Sequence, residues 1–352
     1  MKKYQIYEIA GEHNHAGTKA TKDFSEIAEK MNYGVLSVKM CTTKEGKIAK
    51  IQRQIGFYID WKRAYKSIEE NSIVLLQHPF HYPQLTRESI LNKLKTRKHV
   101  KYISIVHDVE ELRRFRYNDY YKHEFETMIQ IADVIIVHNC KMAQYFIENG
   151  VPEKKLVTLE IFDYLQKLEN RVFPEFKKAI TIAGNLDTQK CGYIAELANL
   201  KSIKVNLYGP NFDEKMKACT HINYKGSYPA DKIPEKLTEG FGLVWDGKSL
   251  DGCTGESGQY LKYNNPHKLS LYLSSGLPVV IWSGAAEADF VRKNKVGVCV
   301  DSLYDLQKYF EMLTEDEYNQ MSHNVRKMAI LLKEGAYGTR ALKKAELLLG
   351  GV

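Results

Sequence analysis

The chain has 352 residues, with 51 Lys and Arg against 43 Asp and Glu, which gives a net charge of +8. Its hydrophobic content of 44% excludes an extensively disordered protein, because a chain of this length can then bury two cores. No apolar run reaches about 18 residues, so we expect no membrane-spanning helix.

Short apolar runs rich in β-branched residues predict twelve strands, six in each half of the chain. Amphipathic helical patterns, such as the spacing of Phe24, Ile27 and Met31, lie between most of them. Apolar strands that alternate with amphipathic helices indicate parallel sheets covered on both faces. The predicted strands are residues 4–9, 35–38, 73–76, 102–106, 134–137, 156–159, 180–182, 204–208, 222–224, 242–245, 278–282 and 296–300.

One open sheet of twelve strands would be unusual. We therefore predict an α/β protein with two doubly wound, Rossmann-like domains that face each other across a cleft. The first would span residues 1–165 and the second residues 175–335. The stretch 169–178 fits neither the strand nor the helix period and contains Pro174, so it predicts the linker. Residues 336–352 predict a final helix that could cross back to the first domain.

Ligands bind open α/β sheets outside the carboxyl ends of the strands, so segments that follow strands are candidate sites. Gly17 and Thr18 follow the first strand, where glycine allows close backbone approach and a helix start attracts anions. A structural turn with a threonine cap is the alternative. His107 and Asp108 follow the fourth strand and could supply a general base. Alternatively, Asp108 caps the next helix and His107 packs against a neighbour.

Three further segments lie in the second half. Gly184 and Asn185 form a turn suited to a phosphate or a ribose, although such turns are also common structural loops. Tyr228 could stack on a base or simply lie at the surface. Lys268 is the strongest candidate, because Pro266 predicts a helix start and helix N-termini favour anions over cations. A diphosphate between the helix and the ammonium would explain this placement; a solvated lysine is the alternative.

The sequence also argues against several other chemistries. It contains no D-x-D triplet, no G-x-S-x-G elbow and no G-x-G-x-x-G fingerprint, so we predict no metal, no hydrolase triad and no dinucleotide cofactor. The pairs His13 with His15 and His78 with His81 have a crude metal spacing. Without partnering cysteines or carboxylates, we expect them to be loop histidines.

The location and the partners are also constrained by the composition. Six scattered cysteines without a C-x-x-C pair favour a reducing compartment, and residues 1–9 indicate a first strand rather than a signal peptide. We expect a cytoplasmic protein, with a peripheral position at the inner membrane face compatible with its charge. Basic clusters at 93–98 and 113–116 could bind polyanions or a membrane, or could be solvated helix faces. No nucleic-acid-binding signature accompanies them.

Three segments, residues 105–112, 240–246 and 265–282, resemble bacterial GT-B glycosyltransferases. The similar kinds are the glucosyltransferase that acts on serine-rich repeat adhesins and the β-1,6-galactofuranosyltransferases of surface polysaccharides. The pattern Lys-x-x-x-aromatic-Leu-x-x-Gly-x-Pro, which begins at Lys268, is typical of this superfamily. The resemblance implies donor contacts from Thr18, Tyr228, Pro266, His267, Lys268, Leu269, Ser270 and Leu271. With the segments above, the predicted donor-binding residues also include Gly17, Gly184, Asn185 and Asn265.

The resemblance implies transfer of a hexose, of glucose or galactofuranose type, from a UDP-sugar to a sugar acceptor on a glycan or glycoprotein. Lys268 and its helix would stabilise the departing diphosphate without a metal, and Asp108 or His107 would accept the acceptor proton. We expect inversion at the anomeric carbon and a homo-oligomer. Two alternatives are a nucleotide-sugar epimerase of similar fold and a non-catalytic partner subunit of a glycosyltransferase.

Overall fold

The computed structural model describes residues 1–9, 16–167 and 174–350, which form an α/β protein with twelve strands and thirteen α-helices. The strands are β1 Lys3–Ile9, β2 Gly34–Lys39, β3 Ile73–His78, β4 Lys101–Val106, β5 Val134–Val137, β6 Leu156–Thr158, β7 Glu175–Ala183, β8 Lys204–Tyr208, β9 Ile222–Tyr224, β10 Glu239–Val244, β11 Val279–Trp282 and β12 Gly297–Val300. The helices are α1 Ala16–Lys30, α2 Lys47–Ser67, α3 Arg87–Arg97, α4 Glu110–Arg113, α5 Asp119–Ile131, α6 Cys140–Glu148, α7 Tyr193–Glu196, α8 Gly255–Tyr260, α9 His267–Ser274, α10 Ala288–Asn294, α11 Asp305–Met312, α12 Glu315–Glu334 and α13 Ala336–Leu348.

The chain divides into two compact units. The N-terminal unit comprises residues 1–159 and the described part of 338–352. Its parallel sheet has the order β2-β1-β3-β4-β5-β6. Helix α13 contacts this sheet's first strand, because Glu346 accepts hydrogen bonds from Lys3 Nζ at 3.0 Å and from Tyr33 Oη at 2.8 Å.

The C-terminal unit comprises residues 160–337, and its six strands are also parallel, in the order β12-β11-β10-β7-β8-β9. Counted within the unit, this is the order 3-2-1-4-5-6 of nucleotide-binding doubly wound sheets. The chain turns outward in opposite directions from β7 and β10, so the switch point of the sheet lies between these two strands. Ligands bind such sheets at the carboxyl ends of the strands beside the switch point.

The strands form where the sequence is continuously apolar. All four residues of β5 and the last five of β10 are buried, as expected for strands covered by helices on both faces. Helix α12 begins with a capping box between Thr314 and Glu317 and ends at Gly335, whose φ of 83° suits a left-handed helix end. Both ends of α12 therefore have a local chemical cause.

All twelve predicted strands are confirmed, as are parallel sheets covered by helices. Two local predictions were wrong. Residues 16–20 form the first turns of α1 rather than a loop, and an ion pair of 2.5 Å between Lys19 and Asp23 supports that turn. Residues 175–178, predicted as linker, extend β7, because Glu175 pairs with Glu239 of β10 beyond a register shift. Within the described residues, no helix is long and apolar enough to cross a bilayer.

Candidate functional site

The switch point of the C-terminal sheet carries Lys268 in the first turn of α9. The sequence predicted that Pro266 would lie inside this turn, and this prediction was wrong. Pro266 precedes the helix as the N-cap residue with an extended ψ of 126°, and the helix begins at His267. The first backbone N–H groups of a helix have no intrahelical acceptor and carry a partial positive charge. The ammonium of Lys268 therefore lies at the end of the helix that favours anions.

The immediate partners of Lys268 come from the segment after β10. Its Nζ donates to the Trp245 carbonyl oxygen at 3.3 Å and lies 3.8 Å from Asp246 Oδ2. Burial alone would lower the pKa of Lys268, but the acidic groups around it, Tyr193 and Asp246 foremost, raise the pKa above the usual lysine value. The side chain keeps 27% of its surface accessible. Lys268 is thus a charged group that is held in place and still reachable by a ligand.

The turn after β7 passes beside the same lysine. Gly184 has a φ of +153°, and a Cβ on it would lie 3.7 Å from Lys268 Cε. Gly209, after β8, has a φ of +145°, and a Cβ there would lie 1.7 Å from the Gly184 carbonyl oxygen. Only glycine fits this close approach of two backbones. The backbone of the Gly184 turn therefore lies close to the Lys268 side chain.

Tyr272 joins α9 to this edge. Its buried hydroxyl accepts a hydrogen bond from the Ala183 N–H at 2.8 Å, directly before the Gly184 turn. The ring lies against β10, where a Cβ on Gly242 would be 2.1 Å from Tyr272 Cγ. One side chain thus fixes the helix that carries Lys268 to both strands of the switch point.

Two other predicted donor residues also lie at this edge. Asn185 is exposed, and its Oδ1 accepts from Asn211 Nδ2 at 2.8 Å. Tyr228 is 40% exposed, its ring centroid is 6.4 Å from that of Tyr208, and Lys236 Nζ lies 5.3 Å above it. The structure therefore brings Gly184, Asn185, Tyr208 and Tyr228 to neighbouring strand ends.

The side chains of the remaining predicted donor residues contact other parts of the C-terminal unit. Asn265 Nδ2 donates to the Glu160 carbonyl at 3.1 Å, and Ser270 Oγ donates to the Phe162 carbonyl at 2.6 Å. Leu269 and Leu271 are buried, and the His267 ring packs against the aromatic rings of residues 162 and 164. These contacts hold α9 in the unit, and a ligand contact from the same residues stays a prediction.

The N-terminal unit places His107 and Asp108 directly after β4, as predicted. His107 Nε2 lies 2.7 Å from Gln77 Oε1, and a carboxamide oxygen only accepts, so this nitrogen donates. Asp108 forms a 2.8 Å ion pair with Arg113, which also pairs with the buried Glu110 at 3.1 Å. The side chain of Asp108 is 29% exposed and that of Glu110 is 1% exposed, so Asp108 is the more accessible carboxylate.

Helix α1 contains the other predicted donor residues, Gly17 and Thr18. Thr18 is exposed in its first turn, and its backbone carbonyl accepts from Thr21 Oγ1 at 3.0 Å. The alternative reading of Thr18 as the helix cap is therefore wrong, because Ala16 and Gly17 already belong to α1.

The histidine pairs have ordinary partners where the structure describes them. His78 Nδ1 lies 2.6 Å from the buried Glu124, and His81 Nδ1 lies 3.3 Å from Tyr121 Oη. His13 and His15 lie outside the described residues. Across residues 1–9, 16–167 and 174–350, no three His, Cys, Asp or Glu side chains are grouped as a metal site would need.

Sequence reasoning missed three residues of these sites. Asp246 is the first charged residue after an apolar strand, and this position could have marked it as a site residue. Arg113 pairs with Asp108 only because α4 turns the chain back, and no sequence pattern predicts that contact. Tyr193 is fully buried close to Lys268, and no described group bonds its hydroxyl.

Solved structures with the same architecture define the class of the fold. One is the apo form of the lipopolysaccharide outer core galactosyltransferase WaaB, with a TM-score of 0.59, 12% identity, and coverage of 97% of this chain and 99% of that one. Anabaena HepE in complex with UDP and glucose gives a TM-score of 0.59 at 10% identity, with 99% and 100% coverage. Two parallel Rossmann-like units of this kind are the GT-B fold.

Sequence comparison then gives the family. The family models for the N-terminal and C-terminal domains of glucosyltransferase 3-like proteins match residues 3–161 and 180–345. The chain is 30% identical to the β-1,6-galactofuranosyltransferase WbbI of Escherichia coli over 95% of both chains. It is 25% identical to glucosyltransferase 3 of Streptococcus gordonii over 92% of both. The chain belongs to the glucosyltransferase 3-like family of GT-B glycosyltransferases.

Replacing Tyr272 with Phe should destabilise the protein, because the buried Ala183 N–H then loses its acceptor. An unsatisfied buried donor costs about 1–3 kcal/mol in the free energy of unfolding. Urea unfolding measures this change. Tyr304→Phe, at a tyrosine that is 45% exposed, is the matched control and should change the free energy by less than about 0.5 kcal/mol. Equal stability of Tyr272→Phe and the wild type would contradict the assigned role.

Proposed function

We propose that the protein transfers a hexose, of glucose or galactofuranose type, from a UDP-sugar to a hydroxyl of a sugar acceptor on a glycan or glycoprotein. The relatives named above use these two sugars, and HepE, of the same fold, has been solved with UDP and glucose. The observation that carries the proposal is the Lys268 ammonium at the start of α9, beside the switch point of the sheet.

In the proposed reaction, the C-terminal unit binds the donor. The diphosphate accepts hydrogen bonds from backbone N–H groups at the start of α9 and from Lys268, and the Gly184 turn lets its oxygens approach the backbone. Bond cleavage places negative charge on the departing UDP, and a fixed ammonium stabilises that charge more than it stabilises the intact donor. Tyr228 is proposed to contact the nucleoside through its exposed ring.

We propose that the N-terminal unit supplies the base. We also propose that its residues Gly17 and Thr18 contact the donor. Asp108 is the accessible carboxylate after β4, and Arg113 fixes its orientation. A carboxylate that accepts the acceptor proton while UDP departs gives a single displacement, which inverts the anomeric centre. His107, held by Gln77, orients the acceptor or replaces Asp108 as the base.

Lys268→Ala should weaken UDP binding roughly 10- to 150-fold and nearly abolish transfer, because a charge-assisted contact is worth about 1.5–3 kcal/mol. Titration calorimetry with UDP measures the affinity. Lys308→Ala removes an exposed lysine of α11 and should leave the affinity unchanged. A folded Lys268→Ala protein with wild-type affinity for UDP would place the diphosphate elsewhere.

Asp108→Asn should lower turnover about 10²- to 10⁴-fold at saturating acceptor, while UDP affinity stays near the wild-type value. The asparagine keeps the shape of the side chain but is no base. Glu111→Gln, a neighbouring exposed carboxylate that contacts Tyr145, is the matched control and should retain activity. If Asp108→Asn and His107→Ala both turn over at the wild-type rate, the base is another residue.

Transfer should continue in EDTA, because we propose that Lys268 and α9 supply the charge that a divalent ion supplies in metal-dependent transferases. The measurement is the initial rate before and after chelation, and after adding back Mn²⁺ or Mg²⁺. Loss of the rate in EDTA with recovery on metal addition would show that a metal supports the diphosphate.

A further inference from the structure

Helix α2 exposes an apolar stripe that the proposed reaction does not use. Its isoleucine side chains at 48, 51, 55 and 59 are 75%, 61%, 55% and 49% exposed. Their spacing of three or four residues puts them on one face of the helix. We call this set the Ile stripe.

The opposite face of α2 already packs against the N-terminal core. Ala49, Phe57, Trp61 and Ala64 are the buried residues of the helix, and Phe57 and Trp61 are 1% and 0% exposed. A surface helix normally pairs its apolar face with a polar one. Here both faces are apolar, so the Ile stripe is not required for the packing of α2.

The exposed apolar surface continues beyond the stripe. Tyr58 of α2 is 44% exposed, and Leu85 is 81% exposed in the loop after β3. Gln54 holds this loop beside the helix, since its Nε2 donates to the Pro83 carbonyl at 2.8 Å and its Oε1 accepts from Leu85 N–H at 3.0 Å. Contiguous exposed apolar surface of this kind marks an interaction site.

The charge of α2 indicates what covers the stripe. The helix carries six basic residues and one acid, Asp60, which pairs with Arg63 and accepts from the Lys39 N–H. The basic residues are Lys47, Lys50, Arg53, Lys62, Arg63 and Lys66. A second copy docked through the same helix would bring two such clusters together, whereas an anionic surface would be attracted to it.

We propose that the Ile stripe inserts into the interfacial layer of an anionic lipid bilayer and anchors the N-terminal unit there. An apolar helix face flanked by lysine and arginine is the pattern of helices that lie in the plane of a membrane surface. The isoleucines would enter the acyl boundary. Lys62 and Lys66, toward the end of the helix, would extend their ammonium groups to lipid phosphates.

Flotation of the whole protein with vesicles tests the proposal. Wild-type protein should float with vesicles of equal phosphatidylglycerol and phosphatidylcholine, and much less with pure phosphatidylcholine. Ile51→Glu with Ile55→Glu should weaken binding at least about tenfold, because two inserted side chains become charged. Ile330→Glu changes an isoleucine of α12 that is 52% exposed and should bind like the wild type.

A second variant separates the contribution of charge to vesicle binding from the contribution of the apolar side chains. Lys47→Gln with Lys62→Gln and Lys66→Gln should weaken binding to the anionic vesicles and make it less sensitive to salt. Sedimentation velocity without lipid is run on the same proteins, with circular dichroism to confirm the fold. The proposal is wrong if wild-type protein does not float with anionic vesicles. It is also wrong if the Ile51/Ile55 variant floats like the wild type, or if its only defect is loss of a wild-type oligomer.

Discussion

The structure around the start of α9 in the C-terminal unit depends on the position of the Lys268 ammonium group. The ammonium of Lys268 lies at the positive end of α9, where a cation is disfavoured by about 0.3–1 kcal/mol. The Trp245 carbonyl and the Asp246 carboxylate offset this, at 3.3 Å and 3.8 Å. Both partners belong to the segment after β10, so the same strand end that forms the switch point also stabilises the lysine.

The surrounding packing keeps this arrangement fixed. Tyr272 ties α9 to the end of β7 through the Ala183 N–H, and Gly242 provides the space that its ring occupies. Ser270 ties the same helix to the Phe162 carbonyl. The helix is thereby held from opposite sides before any ligand binds. A binding group fixed in advance loses little freedom on binding and stabilises charge without first reorganising.

The N-terminal unit follows a related plan at β4. The polar residues after this strand are oriented by partners from elsewhere: Gln77 from β3 for His107, and Arg113 from α4 for Asp108. The proposed base and the proposed donor cation thus each combine a strand end with a partner from a second element. The Ile stripe of α2 is independent of both, and its proposed role is to anchor the N-terminal unit at a membrane.

The sequence predicts the fold well because its strands are continuous apolar runs, and their number and spacing leave few alternatives. It also predicts Lys268, because a lysine after Pro266 at a helix start conflicts with the helix dipole. It does not reveal which side chains of 265–271 also contribute to packing, since the backbone acceptors of Asn265 and Ser270 lie more than 100 residues earlier in the chain. The start of α1 is harder to predict, because Gly17 suggests a turn, although the i,i+4 spacing of Lys19 and Asp23 is compatible with a helix.

A crystal structure of the protein with UDP would show directly where the diphosphate binds. We expect the diphosphate at the start of α9, with an oxygen within hydrogen-bonding distance of Lys268 Nζ and the Gly184 turn alongside it. We also expect Tyr272 to keep its hydrogen bond to the Ala183 N–H. UDP bound with its diphosphate away from α9, or Lys268 still directed to Asp246 and not to a phosphate, would show that Lys268 does not bind the leaving group.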